Sequence, residues 1–231
     1  MRSVNLKQRL VKVLGFILIS LFILSLSIAI TINFTPLYSF DINYLNISEN
    51  INMSKEQILV NYRILIAYLN YPWISELTMP DFSSSESGLF HFYEVKRLFL
   101  INYSILLISG MGSLGFLLYS RGKKLQKSFL LFFKTGILVL LSIIVAVLIS
   151  FDAIFLLFHQ TFFNNDAWLF NPATDPIIEA LPAEFFMHNF LLVFGLSFSF
   201  LTIGLIVTKY KKIKEVPVLN SSSSRNIKSK K

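Results

Sequence analysis

Three histidines and a set of carboxylates are the residues in this chain that could do chemistry near neutral pH. The histidines are His91, His159 and His188; Glu86, Glu94, Asp152, Asp166, Asp175, Glu179 and Glu184 lie close to them in the chain. Imidazole, with an ordinary pKa of about 6.5, can accept or deliver a proton at physiological pH, and it also ligates metals. The absence of cysteine removes thiolate nucleophiles, thiolate zinc sites and disulfide scaffolds. Neither a G-x-S-x-G elbow nor a close-spaced H-E-x-x-H pair occurs. Two chemistries remain: histidine acid–base work, or a metal held by His91, His159, His188 and Asp166 or Asp175. Each histidine also has a plain reading as a polar anchor. That reading is strongest for His188, because Glu184 stands one turn earlier at i,i+4 spacing. Asp152 and His159 are seven apart, on one helix face but about 10 Å from each other.

The elements that must position these groups follow from composition. Of the 231 residues 54% are hydrophobic and only 15% charged, against roughly a quarter charged in an average globular chain. Four apolar stretches reach the length of about 20 residues needed to cross a hydrocarbon core. They predict spans at residues 13–32, 98–119, 129–155 and 185–208. The first lacks a small-x-small cleavage site and reads as a retained signal anchor. Lys134, near the start of the third, can snorkel its amine to the headgroups. At 1.5 Å of rise per residue, counting from the basic ends of the spans puts all three histidines near one headgroup level.

Sidedness follows from the basic residues. Segments 1–12, 120–128 and 209–231, with Lys134, hold 17 of the 21 Lys and Arg and one acid, Glu215. Residues 33–97 and 152–184 hold four basic and twelve acidic residues. The net +8 is therefore the remainder of about +16 on one side and −8 on the other, a membrane signature rather than a nucleic-acid footprint. The expected fold class is an all-α polytopic membrane protein with four transmembrane helices and both termini cytoplasmic. Its extracytoplasmic loops, 33–97 and 156–184, form a small cap.

Within the cap, Lys55–Asn70 places Ile58, Leu59, Tyr62, Leu65, Ile66 and Leu69 at helical spacing, an amphipathic helix for the bilayer surface or the underside of the cap. Tyr71-Pro72-Trp73 ends it, with the Trp at an interfacial level. Residues 81–88 (DFSSSESG) read as a mobile loop, and short strands have room in 33–50 and 76–90. Residues 158–186 mix turn formers with Phe162, Phe163, Trp168 and Phe170, so they read as an ordered, aromatic-anchored cap. The tail 221–231 is basic and low in complexity, suited to hovering over anionic lipid. Residues 110–115 match G-x-G-x-x-G but lie inside a span with no preceding strand; close helix approach accounts for them better than a dinucleotide.

The run from Phe158 through Asn165-Asp166, Trp168, Phe170, Pro172, Asp175 and Leu181-Pro182 to Phe185-Phe186 resembles the bacterial lipoprotein intramolecular transacylase family. Residues 86–96, with Glu86, His91 and Val95-Lys96, look like its second signature; Glu94 keeps the charge where that pattern more often has Asp. The match of residues 61–69 is weaker. The resemblance implies an acyl shift on a diacylglyceryl lipoprotein: the sn-2 O-acyl chain moves to the α-amino group of the lipid-bearing cysteine, giving the lyso form. It implies His91 and His159 as the catalytic pair, with Glu94, Asn165, Asp166, Trp168 and Asp175 in support. Lipoprotein and membrane lipids are the implied partners, with no metal, cofactor or nucleic acid. The location is the bacterial cell membrane, with the site at its outer face. A metal-dependent membrane hydrolase and a non-enzymatic membrane subunit or lipid-binding factor stand as alternatives.

Overall fold

The computed structural model describes residues 6–215. The basic 221–231 tail lies outside the described residues. In chain order the elements are α1 (Leu6–Ile32), α2 (Thr35–Tyr44), α3 (Ile47–Asn50), α4 (Lys55–Asn70), α5 (Glu86–Ser120), α6 (Gln126–Phe162), α7 (Ile177–Ala180) and α8 (Ala183–Glu215). Four of them, α1, α5, α6 and α8 as far as Tyr210, are long and apolar enough to cross a membrane. The fold is thus all-α and polytopic. Among the described residues there is no strand, so the strand expectation for 33–50 and 76–90 is corrected. The first of these segments is α2 and α3; Pro36 in the opening turn of α2 suits a helix start, where its missing N–H is not needed.

The long helices run past the apolar segments that announce them. α5 begins at Glu86, twelve residues before the apolar run at 98, because Ser85 caps it: its Oγ accepts from Gly88 N at 3.0 Å. Glu86 to Gly88 are therefore helical rather than mobile loop. α6 leaves helical geometry at Ser150 (φ −142°, ψ 48°), which redirects the stretch carrying His159; nothing in the structure explains the kink.

α1 packs along α5 and α8, and α8 packs along α6. Small residues permit the first contact. A Cβ on Gly15 would fall 2.3 Å from the Phe116 ring, and one on Gly112 would fall 2.8 Å from Leu18. Gly110 and Gly112 are thus a helix-packing surface, as their place in a span suggests. Polar links join the same helices: Ser197 Oγ donates to Ser27 Oγ at 2.9 Å, and Asn102 Nδ2 to the Ser25 carbonyl at 3.2 Å. No extended packing joins α5 to α6. They approach where Phe116 faces Phe129 (5.8 Å), beside their short connection, and again where their histidines meet.

The cap is built from α2, α3, α4, α7 and the segments between them. A capping box starts α4: Ser54 Oγ accepts from Gln57 N, and Gln57 Oε1 accepts from Ser54 N. Its apolar face, Ile58, Tyr62, Leu65 and Leu69, is buried against Tyr38, Ile42, Ile47, Ile177 and Phe185, with Leu59 and Ile66 partly covered. Each fully buried side chain of this kind contributes roughly 1.5–3 kcal/mol. α4 therefore packs into the cap by the face its spacing defines. Tyr38 Oη donates to the Ala180 carbonyl at 2.7 Å and ties α2 to α7.

Candidate active site

Two helix ends and one loop converge on a pair of imidazoles. His91 lies in the second turn of α5, held there by the Ser85 cap; His159 lies in the last turn of α6. Their ring centroids are 6.0 Å apart, and the residues are 7% and 8% exposed. Aromatic rings wall them in. Phe163 is 4.7 Å from His91 and 5.6 Å from His159, Phe170 is 5.5 Å from His91, and Trp168 lies 4.7 Å from His159. Phe155, one turn below His159, completes the wall at 4.2 Å.

The hydrogen bonds of the two rings differ in a way that matters chemically. His159 Nδ1 is 2.7 Å from the Phe155 carbonyl. A carbonyl only accepts, so Nδ1 carries the proton and donates it, and the neutral ring keeps its lone pair on Nε2. That is the tautomer of a general base. His91 Nδ1, by contrast, is buried and makes no hydrogen bond within the protein. A buried polar atom so placed is rare and asks for a partner from outside the chain.

The loop after α6 supplies the bracing. Asn165 Nδ2 donates to Glu94 Oε1 at 2.9 Å, while Asn165 Oδ1 accepts from Ala167 N at 2.9 Å and closes a turn. Glu94 Oε2 is buried with no hydrogen bond in the protein. Asp175, 2% exposed, accepts from Ser85 N and Ser85 Oγ, each at 2.8 Å, and from Thr174 Oγ1 at 2.7 Å. Burial pushes its carboxyl up, but the bonds from Thr174 and Ser85 outweigh burial and hold it below the usual carboxylate range. It grips the start of α5 rather than a histidine.

Residues 13–186 match the family described as lipoprotein intramolecular transacylase Lit. The chain belongs to the Lit family. It is accordingly a membrane-integral enzyme, a transacylase. Among solved structures, the in meso structure of the Bacillus cereus Lit transacylase superposes with a TM-score of 0.84 at 30% identity, over 89% of this chain and 96% of that one. Two structures of the same protein with one histidine changed, to arginine and to alanine, superpose with TM-scores of 0.77 at 29% and 30% identity; each covers 89% of this chain, and 92% and 94% of theirs. Comparison with curated protein sequences yields no match.

In this Lit-family chain the site residues expected from the sequence fall into three groups. His91, His159 and Trp168 come together, and Glu94 and Asn165 bond each other between the same helix and loop. Asp175 braces from one side. Asp166 is exposed, and its carbonyl accepts from Leu169 N in a turn. His188 is elsewhere, and its partner is not Glu184, which is exposed. Its Nδ1 bonds Asp41 Oδ1 at 2.7 Å, across 147 positions of sequence. Asp41 is fully buried; burial pushes its carboxyl up, and the hydrogen bond and charge of His188 offset part of that rise. With His188 and Asp175 committed to these contacts, no group of three or more metal-ligating side chains converges among the described residues. Sequence reasoning missed Asp41, Ser85 and the Phe155 carbonyl. Only Ser85 carried a signal, as a Ser directly before Glu86 at a helix start.

Proposed function

We propose that this protein moves the sn-2 O-acyl chain of a diacylglyceryl lipoprotein to the α-amino group of its lipid-bearing cysteine, yielding the lyso-form N-acyl S-monoacylglyceryl product. The observation that carries the reading is the asymmetry of the histidine pair: one ring has its Nε2 free to accept a proton, and the other has a buried nitrogen awaiting a partner. Rings 6.0 Å apart leave room for one reacting group within hydrogen-bond reach of each.

The α-amine, with an ordinary pKa near 7.7–8.0, first releases its ammonium proton to solvent and attacks as the neutral amine. His159 Nε2 takes a proton as the nitrogen bonds to the ester carbonyl carbon. His91 donates to the developing oxyanion. As the carbon–oxygen bond breaks, His159 returns the proton to the glyceryl oxygen, so ester and amine become amide and alcohol with no net proton change. Donor and acceptor belong to one molecule, and holding them in a ring supplies much of the acceleration. The reaction is downhill and calls for no carrier or activated donor, and the proposal includes no metal.

The basic residues around 1–12, 120–128 and 209–231 support a placement with both termini cytoplasmic. The cap and the histidines then stand at the extracytoplasmic face, the spans being 13–32, 98–119, 129–155 and 185–208. That is the level at which the glyceryl ester and amine of an anchored lipoprotein reside.

The test is mass spectrometry of the N-terminal lipopeptide of a lipoprotein co-expressed with this protein. The expected product has gained an N-acyl group and lost one O-acyl chain at unchanged acyl count. His159→Ala and His91→Ala should each lower conversion at least about a hundredfold, the lower range of acid–base contributions. An unchanged diacyl form with a free amine would refute the proposal.

A further inference from the structure

Glu94 is a half-buried acid, and one of its two carboxylate oxygens is enclosed without a partner. Asn165 holds Oε1, while Oε2 has no water-accessible surface to speak of and no hydrogen bond within the protein. Removing a carboxylate oxygen from water without a partner is unfavourable, and such an arrangement persists where a cation or strong donor arrives from outside. The surroundings say where the donor would stand. Glu94 is three residues after His91, on the same face of α5. Its brace, Asn165, is two residues beyond Phe163, whose ring packs on both His91 and His159. The free oxygen therefore lies between the helix that carries His91 and the loop that carries Phe163. Among the described residues no lysine or arginine pairs with it; buried Lys96, nearby on α5, donates instead to the Ile74 carbonyl and lies over the Tyr68 ring.

We infer that Glu94 is the binding residue for a primary amine. Its Oε2 receives the substrate's α-amino group, as ammonium on arrival and as an N–H donor after deprotonation, and holds it beside His159. The inference rests on the transacylase reading above and deepens it, since it names what distinguishes an acceptable acceptor: a free amino terminus. An amine-directed carboxylate also explains why Asn165 grips only one oxygen. The clamp fixes the carboxylate plane and leaves the second oxygen to the ligand.

Binding can be separated from turnover with a lipopeptide whose two glyceryl chains are ether-linked and so cannot be transferred. It is prepared with a free amine and with an N-acetylated amine. The purified full-length protein should bind the free-amine form about tenfold or more tighter, as expected for a charge-assisted hydrogen bond. Glu94→Gln, which keeps the shape and the Asn165 contact, should erase that difference while leaving the affinity for the N-acetyl form unchanged; Glu94→Asp should retain part of it. Equal affinity of the wild-type protein for the two forms overturns the inference with no variant needed. So does a preference that survives Glu94→Gln at an unchanged melting midpoint. The ester-linked lipopeptide, run in parallel on wild-type protein, keeps the two claims apart. Transfer without a Glu94-dependent preference sinks the amine site alone. Preference without transfer sinks the transacylase chemistry and leaves the amine site standing.

Discussion

Replacing Gly88 by alanine sets two effects of opposite sign against each other. Helix propensity favours the change by up to about 1 kcal/mol, since Gly88 is in the first turn of α5. Space opposes it. A Cβ at Gly88 would lie 2.1 Å from Asp175 Oδ1 and 3.0 Å from its Cγ, so the carboxylate must move. Moving it breaks the two bonds from Ser85, each 2.8 Å long. Hydrogen bonds to a charged group contribute about 1.5–3 kcal/mol each, so the loss is about 3–6 kcal/mol and the net effect on the cap about 2–5 kcal/mol. His91 sits one turn further along α5 and depends on that anchor for its position. Displacing such a group by about 1 Å can lower a rate a hundredfold. The expected result is a fall in acyl transfer of at least tenfold in the lipopeptide assay, together with faster hydrogen exchange in residues 83–92. Gly195→Ala, where a Cβ meets no atom within 4 Å, is the control and should leave both unchanged. If the clash is the cause, Gly88→Ala should add less than about 0.5 kcal/mol on an Asp175→Ala background. A Gly88→Ala enzyme with normal transfer and normal exchange would refute the reasoning.

Two further outcomes are expected. The Asp175 carboxyl is held below its ordinary range, so its contribution to the cap is present above the unfolded carboxylate pKa of about 3.9 and is lost as pH falls through the lower folded value. The stability difference between wild type and Asp175→Asn should therefore be constant at neutral pH and shrink below about pH 4, as measured by near-UV circular dichroism; a difference that grows on acidification would contradict this. His188→Ala leaves Asp41 buried without its partner, and should lower stability by about 3 kcal/mol, the low end for a broken buried pair because the raised carboxyl can take up a proton. Acyl transfer at 25 °C should stay within about twofold, and a large loss of turnover at unchanged melting midpoint would move His188 into the site.

What could be read from the chain and what could not divides along physical lines. The four spans were legible because hydrocarbon demands runs of apolar residues, and α4 was legible because one of its faces is buried and the other is not. Where α5 begins was not, because apolar character marks the membrane and not the helix. Its first twelve residues, 86–97, are polar enough for a loop, and only the Ser85 cap betrays them. α2 escaped because aromatic and β-branched residues in TPLYSFDINY suit a strand as well as a helix. The histidine pair was legible by family resemblance and by a count of depth. The partner of His188 was not, since local spacing offers Glu184 and only the folded chain offers Asp41. The tautomer of His159 depends on a main-chain carbonyl, which no side-chain pattern can reveal.

The two helices that carry the histidines do not pack along each other, and this separates the protein into a load-carrying frame and a measuring gap. The frame is α1 with α5 and α8, and α8 with α6. The gap between the imidazoles is set elsewhere, by Asp175 on Ser85, Asn165 on Glu94 and the ring of Phe163. Membrane thickness, detergent or a stabilising substitution in the spans acts on the frame and need not change the gap. Conversely, a loosened cap can ruin the gap while the frame stays intact, so an unchanged frame is no guarantee of an unchanged site, and turnover together with local exchange in the cap reports on the gap.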